Sequence, residues 1–336
     1  MQHDRCQVEV DVSPLENMLK IINYLKKRER IKFSQLKELL NSRAYRYMLF
    51  THFLSTSDIV KVFSYLQKGS QPREEKLKWL YNEFKNCIKN IDKYYKFAET
   101  LKSGKAEVIE QACNRVMGYL PGSAEIEAKV YVLIGGSDAY GVNLLDTSAI
   151  IMNSTHFLNN IDKFTAVLAH ELHHKALWRS REVYWRLDRI GLPRIKYVYD
   201  IISEVIGEGV ASIVAAPYVM FEKYNLIKDN IRREYEAVEE GIINIYENFS
   251  EEKAERIFSQ LYSNIGPIYM VGIDMALKIE KHQGRESLIE SLDDPTAYIF
   301  FEKYMEVAKE QENAYIYSEK LMQVIRKVRD TVTEIY

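Results

Sequence analysis

A histidine–glutamate motif in the middle of the chain has the residue types and spacing of a metal site. His170, Glu171 and His174 form the pattern His-Glu-x-x-His. In an α-helix, residues i and i+4 lie about 40° apart around the axis, so both imidazoles can reach one metal ion. A carboxylate at the second position can point at a water on that metal. The pattern therefore predicts a zinc site with His170 and His174 as ligands and Glu171 as the general base of a hydrolysis.

The residues around the motif predict the helix that its geometry requires. Asn160 and Asp162 are typical of a helix start, and apolar residues recur at helical spacing from Phe164 to Leu177. The motif thus lies inside a predicted amphipathic helix. His173 falls between the two ligand positions in sequence but a helical step to one side of them. We expect it to support the site or the fold rather than to bind the metal.

A catalytic zinc needs a third protein ligand, and two glutamates on a later helix are candidates. A long helix is predicted between Pro193 and Pro217. Within it, Glu208 lies in an apolar, small-residue stretch, where an unpaired carboxylate would be costly. Glycines flank it on both sides, each costing roughly 1 kcal/mol in a helix interior, which predicts close packing against another backbone, that of the motif helix. Glu208 is therefore favoured over Glu204, one turn earlier, which is the alternative ligand, with Glu208 then supporting it.

These residues resemble a known group of metallopeptidases. The motif, followed by Gly207–Ser212, resembles the gluzincins, whose aminopeptidase branch uses the glutamate of a Glu-Gly-x-Ala segment as the third zinc ligand. That match falls on Glu208. The closest resemblance is to an uncharacterised set of bacterial and archaeal zinc-dependent proteases with a helical N-terminal half, a Gly-Gly strand end and both motifs. It extends over most of the chain, including Gly266–Gly272 and Gly284-Arg285, and implies a zincin-like catalytic core that binds one zinc ion.

The sequence also departs from the better-known gluzincins. The spacer between His174 and Glu208 is much longer than in thermolysin and the aminopeptidases. The Gly-Ala-Met-Glu-Asn exopeptidase motif is missing, so aminopeptidase specificity is not implied. Ser212 stands where thermolysin-like enzymes have an aspartate, four residues after the ligand. Support for the ligand must then come from elsewhere, and Glu204 is a candidate for that role.

Hydrolysis of an amide also needs a donor for the developing oxyanion, which is often a tyrosine or a histidine. The chain has 24 tyrosines, so abundance alone selects none of them. Tyr269 is the first candidate, because it lies at a helix start where small residues allow close approach. His156, just before the motif helix, is the second. Tyr140, in a segment after a Gly-Gly pair that we expect to be a loop, is the third.

Composition narrows the class of protein and its surroundings. The net charge of −2 argues against a protein that binds nucleic acid through bulk charge. No apolar run reaches the roughly 18 residues of a transmembrane helix, and the N-terminus has no signal-peptide core. Cys6, Cys87 and Cys113 show neither a disulfide framework nor zinc spacing. We therefore expect free thiols and a cytoplasmic protein that acts without a membrane or nucleic-acid partner.

The order of predicted elements indicates an α+β fold that is predominantly α-helical. The first 120 residues are expected to be almost wholly helical, and strands are predicted at 129–134 and 148–152, directly before the motif helix. We therefore expect a small β-sheet next to that helix. The predicted domains are a helical N-terminal region, 1–120, which packs on the core, and a zincin-like metallopeptidase domain, 121–336.

Taken together, the residues and the resemblance predict a zinc metallopeptidase that acts on a peptide or protein substrate. An exposed edge at 148–152 would favour an extended peptide, which could add to the sheet as a strand. A covered edge would favour a small molecule. One alternative is a zinc hydrolase of a non-peptide amide. Another is a regulatory or interaction protein with a vestigial metal site, which the intact base and ligands argue against.

Overall fold

The protein is a predominantly helical α+β chain, described by a computed structural model. The structure describes residues 5–27, 29, 31, 33–144, 147–218 and 220–335. Within these ranges helices account for most residues, and the strands form one small sheet. The predicted fold class is confirmed. In the same ranges, no helix combines the length and apolar character needed to cross a membrane.

The N-terminal half consists of one strand, a run of helices and then three more strands. Its elements are β1 (Cys6–Asp11), α1 (Ser13–Lys26), α2 (Phe33–Leu40), α3 (Arg43–Thr51), α4 (Thr56–Lys68), α5 (Glu75–Ser103), α6 (Lys105–Met117), β2 (Ile126–Leu133), β3 (Ala139–Leu144) and β4 (Thr147–Asn153). A 3-10 helix, Ser154–His156, follows β4 and leads into the motif helix.

The C-terminal half is helical within the described residues. Its elements are α7 (Ile161–Ala176), α8 (Trp178–Arg189), α9 (Pro193–Val214), α10 (Met220–Ile227), α11 (Arg232–Glu247), α12 (Glu251–Tyr262), α13 (Pro267–Gln283), α14 (Arg285–Asp293), α15 (Tyr298–Lys309) and α16 (Glu319–Ile335). The motif lies on α7 and Glu208 lies on α9, as the sequence predicts.

The sheet has the strand order β1-β2-β4-β3. Strands β1, β2 and β4 are parallel, with Val130 of β2 opposite both Val10 of β1 and Ile150 of β4. Strand β3 pairs with β4 in the antiparallel sense, with Tyr140 opposite Ile151. Both backbone edges of β4 are therefore paired. The hypothesis that the strand at 148–152 offers an open edge to an extended peptide is wrong.

Two of the strands differ from the sequence-based expectation. β1 lies in the segment expected to be helical, although Val8 and Val10 alternate with polar residues at the period of two that is typical of a strand. That run is short and directly precedes α1. β3 lies where a loop is expected after Gly135-Gly136, so Tyr140 is a strand residue. Pairing with β4 stabilises this segment, and such pairing cannot be seen in its local sequence.

The described chain forms two compact units. The first comprises the chain up to Cys113 together with Ile126–Glu171, and it contains the sheet. The second comprises Asn114–Glu125 and the chain from Leu172 onward. The predicted boundary between residues 120 and 121 lies within the short segment that interrupts the first unit. An accessory role for residues 1–120 stays a prediction.

Helices α9 and α13 cross at the centre of the second unit, with almost no side-chain material between their backbones at the contact. A Cβ atom on Gly209 would overlap the backbone of Gly272, and one on Gly272 would overlap the carbonyl of Val205. The glycine pattern therefore predicts a close backbone neighbour correctly but assigns it to the wrong helix. The neighbour is α13 rather than the motif helix α7. A Cβ on Gly207 meets nothing within 4 Å.

The cysteine expectation is correct for one residue and wrong for two. Cys87 is a free thiol and is buried, as expected. Cys6 and Cys113 form a disulfide bond that links β1 to α6. Their sequence separation is 107 residues, and an isolated pair at such a distance has no characteristic spacing. Cys6 lies on strand β1, which brings it close to Cys113. Because this strand is not predicted from the sequence, the disulfide is not predicted either.

A thiol count tests the disulfide. Without reductant, the wild-type chain unfolded in guanidinium chloride should show one reactive thiol, Cys87, and after reduction it should show three. Cys87→Ser is the matched control, with none and two. Three reactive thiols in carefully unreduced wild-type protein would show that Cys6 and Cys113 are not bonded.

The helix crossing is tested by a matched pair of alanine substitutions on α9. Gly209→Ala forces a methyl group into the backbone of α13 and should lower the free energy of unfolding by about 1–3 kcal/mol, the usual cost of overpacking. Gly207→Ala adds the same group where nothing stands within 4 Å, so improved helix propensity should make it neutral or stabilising by up to about 1 kcal/mol. Denaturant unfolding of the metal-free protein measures both, and equal effects would argue against the close crossing.

Candidate metal centre

Helix α7 carries the motif and is held in place by an N-cap residue and a buried apolar face. It begins directly after Asn160, whose side-chain oxygen accepts a hydrogen bond from the backbone N–H of Lys163 at 2.8 Å, as an N-cap residue does. Phe164, Leu168 and Leu172 recur at helical spacing and are fully buried. The predicted helix start is confirmed, and so is the apolar face as far as Leu172, whereas Leu177 lies just after the end of α7 and is half-buried. The motif residues therefore lie in the last turns of a helix whose buried face fixes its rotation.

Helix α9 supplies a carboxylate from an apolar setting. Glu208 is only 3% exposed, and the residues from Val205 to Val214 along the same helix are all buried. A carboxylate that leaves water at such a place is unstable unless hydrogen-bond donors or positive charge compensate for its lost hydration. Its surroundings should therefore contain such partners.

The structure brings three predicted ligands together. The ligand atoms of His170, His174 and Glu208 all lie within 4.8 Å of one another. His174 Nε2 is 3.3 Å from Glu208 Oε2. His170 is 4% exposed, whereas the side chain of His174 keeps 22% of its exposure. The cluster is thus buried on one side and reached by solvent on the other.

This donor set suits zinc. Two imidazole nitrogens and one carboxylate oxygen are the three protein ligands of many hydrolytic zinc sites, in which the fourth position is left to water or substrate. Ligand atoms that lie up to 4.8 Å apart can all reach a central ion at about 2.0–2.2 Å with small side-chain adjustments. The residues present therefore fit a single zinc ion.

The two polar residues between the motif histidines, Glu171 and His173, occupy different environments. Glu171 follows His170 on α7 and is half-buried, so its carboxylate keeps some access to solvent. His173 is fully buried, and its ring lies edge-on to that of His174 at a centroid distance of 6.3 Å. This contact suits a supporting role for His173. The roles of Glu171 and His173 stay predictions.

A tyrosine that the sequence did not single out completes the surroundings of Glu208. Tyr262, the last residue of α12, donates a hydrogen bond from its hydroxyl to Glu208 Oε1 at 2.8 Å. The ring of Tyr269 lies 5.2 Å from that of Tyr262. Burial raises the pKa of both tyrosines, and the charge of Glu208 raises each pKa further. Both hydroxyls therefore stay protonated near neutral pH and can act as donors.

No sequence signal could have selected Tyr262. It is one of 24 tyrosines and lies outside the two metal-site motifs and the Gly266–Gly272 segment. Tyr269, the first candidate for the oxyanion donor, lies near Glu208, whose charge raises its pKa. Its catalytic role stays a prediction.

The alternative ligand, Glu204, lies one helical turn before Glu208 and is half-buried. Its charge contributes to the raised pKa of Tyr262 and Tyr269, so it lies on the same side of α9. Among the described residues, however, the group of ligand atoms close enough for one ion contains Glu208. Ser212, one turn after Glu208, is fully buried.

The other candidate oxyanion donors belong to a polar cluster of the first unit. His156 Nδ1 lies 2.9 Å from Asp138 Oδ1, an ion pair when the histidine is protonated. The ring of Tyr140 lies edge-on to His52 at 5.6 Å, and burial raises its pKa. Burial also raises the pKa of the neighbouring carboxyl of Glu83. His156 and Tyr140 both lie near Glu83. Neither of them is a member of the His-His-Glu group.

Comparison with known proteins gives the family. Residues 23–313 match a family described as "Putative zinc dependent peptidase (DUF5700)". The match covers most of the chain, so the protein belongs to this family. The resemblance of the sequence to a family of zinc-dependent proteases is confirmed at that level. No curated protein and no solved structure matches the chain.

The metal content of the purified protein tests the cluster. We expect about one zinc per chain, lost in His174→Ala, which removes an imidazole ligand, and in Glu208→Gln, which removes the negative charge of the carboxylate ligand. His282→Ala, at an exposed position on α13, should keep its zinc and serves as the control. Elemental analysis after gel filtration measures it, and undiminished zinc in the first two variants would contradict the assignment.

Proposed function

We propose that the protein is a single-zinc metallopeptidase of the gluzincin type. The observation that carries this proposal is the buried group of two helix-borne histidines and a glutamate from a second helix, with ligand atoms within 4.8 Å of one another. Membership of a family described as zinc-dependent peptidases supports it. The position of Glu208 in this group, as the proposed third ligand, supports the gluzincin type.

In this proposal His170, His174 and Glu208 hold the ion. Zinc, when bound, polarises a substrate carbonyl and lowers the pKa of a coordinated water. Glu171 accepts a proton from the attacking water and delivers it to the leaving amine. Its half-buried position beside His170 leaves it accessible for that transfer. Tyr269 donates a hydrogen bond to the carbonyl oxygen as negative charge develops on it.

The substrate is proposed to be a peptide or protein, with no nucleic-acid or membrane partner. The pairing of both edges of β4 removes one route by which an extended peptide would bind. That observation favours the second candidate, a zinc hydrolase of a non-peptide amide. The two differ in what they cleave: a mixture of unfolded protein and peptides should be degraded by the first and left intact by the second.

The cellular compartment of the protein is a separate question, on which the sequence and the disulfide point in different directions. A cytoplasmic location stays a prediction from the sequence. The disulfide between Cys6 and Cys113 favours an oxidising compartment instead, because disulfides rarely persist in the cytosol.

The substitution Glu171→Gln tests the proposed reaction. Glutamine keeps the size of the side chain but cannot accept a proton at neutral pH, so hydrolysis should fall by at least about 100-fold while zinc stays bound. Cleavage of a denatured protein substrate, followed by mass spectrometry, measures the rate, and elemental analysis measures the metal. His174→Ala is the companion variant that should lose both. Wild-type cleavage by Glu171→Gln would show that Glu171 is not the base.

A further inference from the structure

We propose that Tyr262 is a positioning residue for the metal centre, which fixes Glu208 through a hydrogen bond to one carboxylate oxygen so that the other faces the metal. The inference rests on the zinc site proposed above and deepens it. The two oxygens of Glu208 have separate neighbours. Oε1 accepts the hydroxyl of Tyr262 at 2.8 Å, and Oε2 lies 3.3 Å from His174 Nε2.

The ring of Tyr262 is held on two sides, so its hydroxyl has a defined position. The ring of Phe258 stacks on it at 5.5 Å with an interplanar angle of 12°. The ring of Tyr269 lies against it at 5.2 Å and 49°. Aromatic contacts of this kind add to area burial and restrict ring rotation. These two contacts hold the hydroxyl in the position from which it donates to Glu208.

The corner between α12 and α13 is also held in an uncommon conformation. Asn264 and Ile265 both have left-handed backbone angles, with φ of 57° and 55°. A β-branched residue there is a genuine outlier, and such a conformation persists only where neighbours enforce it. The ammonium group of Lys223 donates to the carbonyls of Asn264 and Ile265 at 2.9 and 2.8 Å. This corner directly follows Tyr262 and sets the path from it to Tyr269.

The physical consequence concerns the geometry of the ligand. A hydrogen bond to an ionised carboxylate is stronger than one between neutral groups, and here it offsets part of the cost of burying Glu208. It also occupies Oε1, which leaves Oε2 as the oxygen presented to the ion beside His174. Groups that hold ligands in this way commonly contribute 10- to 100-fold to metal affinity.

The test is the zinc affinity of Tyr262→Phe, which removes only the hydroxyl. The zinc dissociation constant, measured by competition with a chromophoric chelator, should rise about 10- to 100-fold. The matched control is Tyr315→Phe. Tyr315 is a half-buried tyrosine whose hydroxyl likewise donates to a buried carboxylate, Glu239 Oε2 at 2.8 Å, and neither residue belongs to the His-His-Glu group. The zinc affinity of this control variant should equal that of the wild type.

A second readout separates positioning from general loosening. The visible spectrum of the Co²⁺-loaded protein reports ligand geometry and should change in Tyr262→Phe but not in Tyr315→Phe. Equal affinity and spectrum in Tyr262→Phe and wild type would overturn the positioning role while leaving the zinc site intact. Equal losses in both variants would overturn it too, because the effect would not be specific to Glu208.

Two further outcomes have defined meanings. If wild-type protein binds no zinc, the proposed function fails, and the positioning role falls with it. If Tyr262→Phe does not fold, Phe258→Leu replaces it as the test. That variant removes the stacked ring and leaves the hydroxyl, so a weaker loss of zinc affinity is expected, and wild-type affinity would overturn the inference.

Discussion

The burial of the Glu208 carboxylate is the constraint on which the metal site in the second unit depends. Glu208 is 3% exposed inside a helix whose neighbouring residues are apolar and buried. A charge in that position requires compensation. The hydroxyl of Tyr262 donates a hydrogen bond to one oxygen of Glu208, and the imidazole of His174 lies close to the other. A bound cation would add to this compensation. The positive charge that stabilises the buried Glu208 would then be the same zinc ion that the proposed reaction requires.

The same helix is fixed by packing. Gly209, the residue after Glu208, lies against Gly272 of α13, where no side chain could be inserted. Tyr269 lies on α13 one turn before that contact, beside the Tyr262 ring. The crossing therefore sets the distance from Glu208 to Tyr269, while Tyr262 is positioned by α12. A site built on such rigid elements is preorganised, which is the property that a zinc hydrolase needs.

Much of the site could be predicted from sequence because its signals are local. The His-Glu-x-x-His spacing and the apolar face of α7 belong to one helix, and the glycine-flanked Glu208 belongs to another. What could not be predicted depends on distant partners. Strand β1 and the Cys6–Cys113 disulfide require a pairing across most of the first unit, and Tyr262 acquires its importance only when α12 folds against α9. The helix that packs on Gly209 was wrongly inferred for the same reason, since a glycine reveals that a neighbour is close but not which one.

The central claim is that one zinc ion is held by two imidazoles and one carboxylate with a position left open. Zinc K-edge X-ray absorption on the protein loaded with one equivalent of zinc tests it most directly. The expected spectrum has only nitrogen and oxygen neighbours at about 2.0–2.2 Å, two of them imidazoles, with one ligand exchangeable for a small anion. A sulfur neighbour at about 2.3 Å, or a closed set of four protein ligands, would contradict it and would indicate a structural metal.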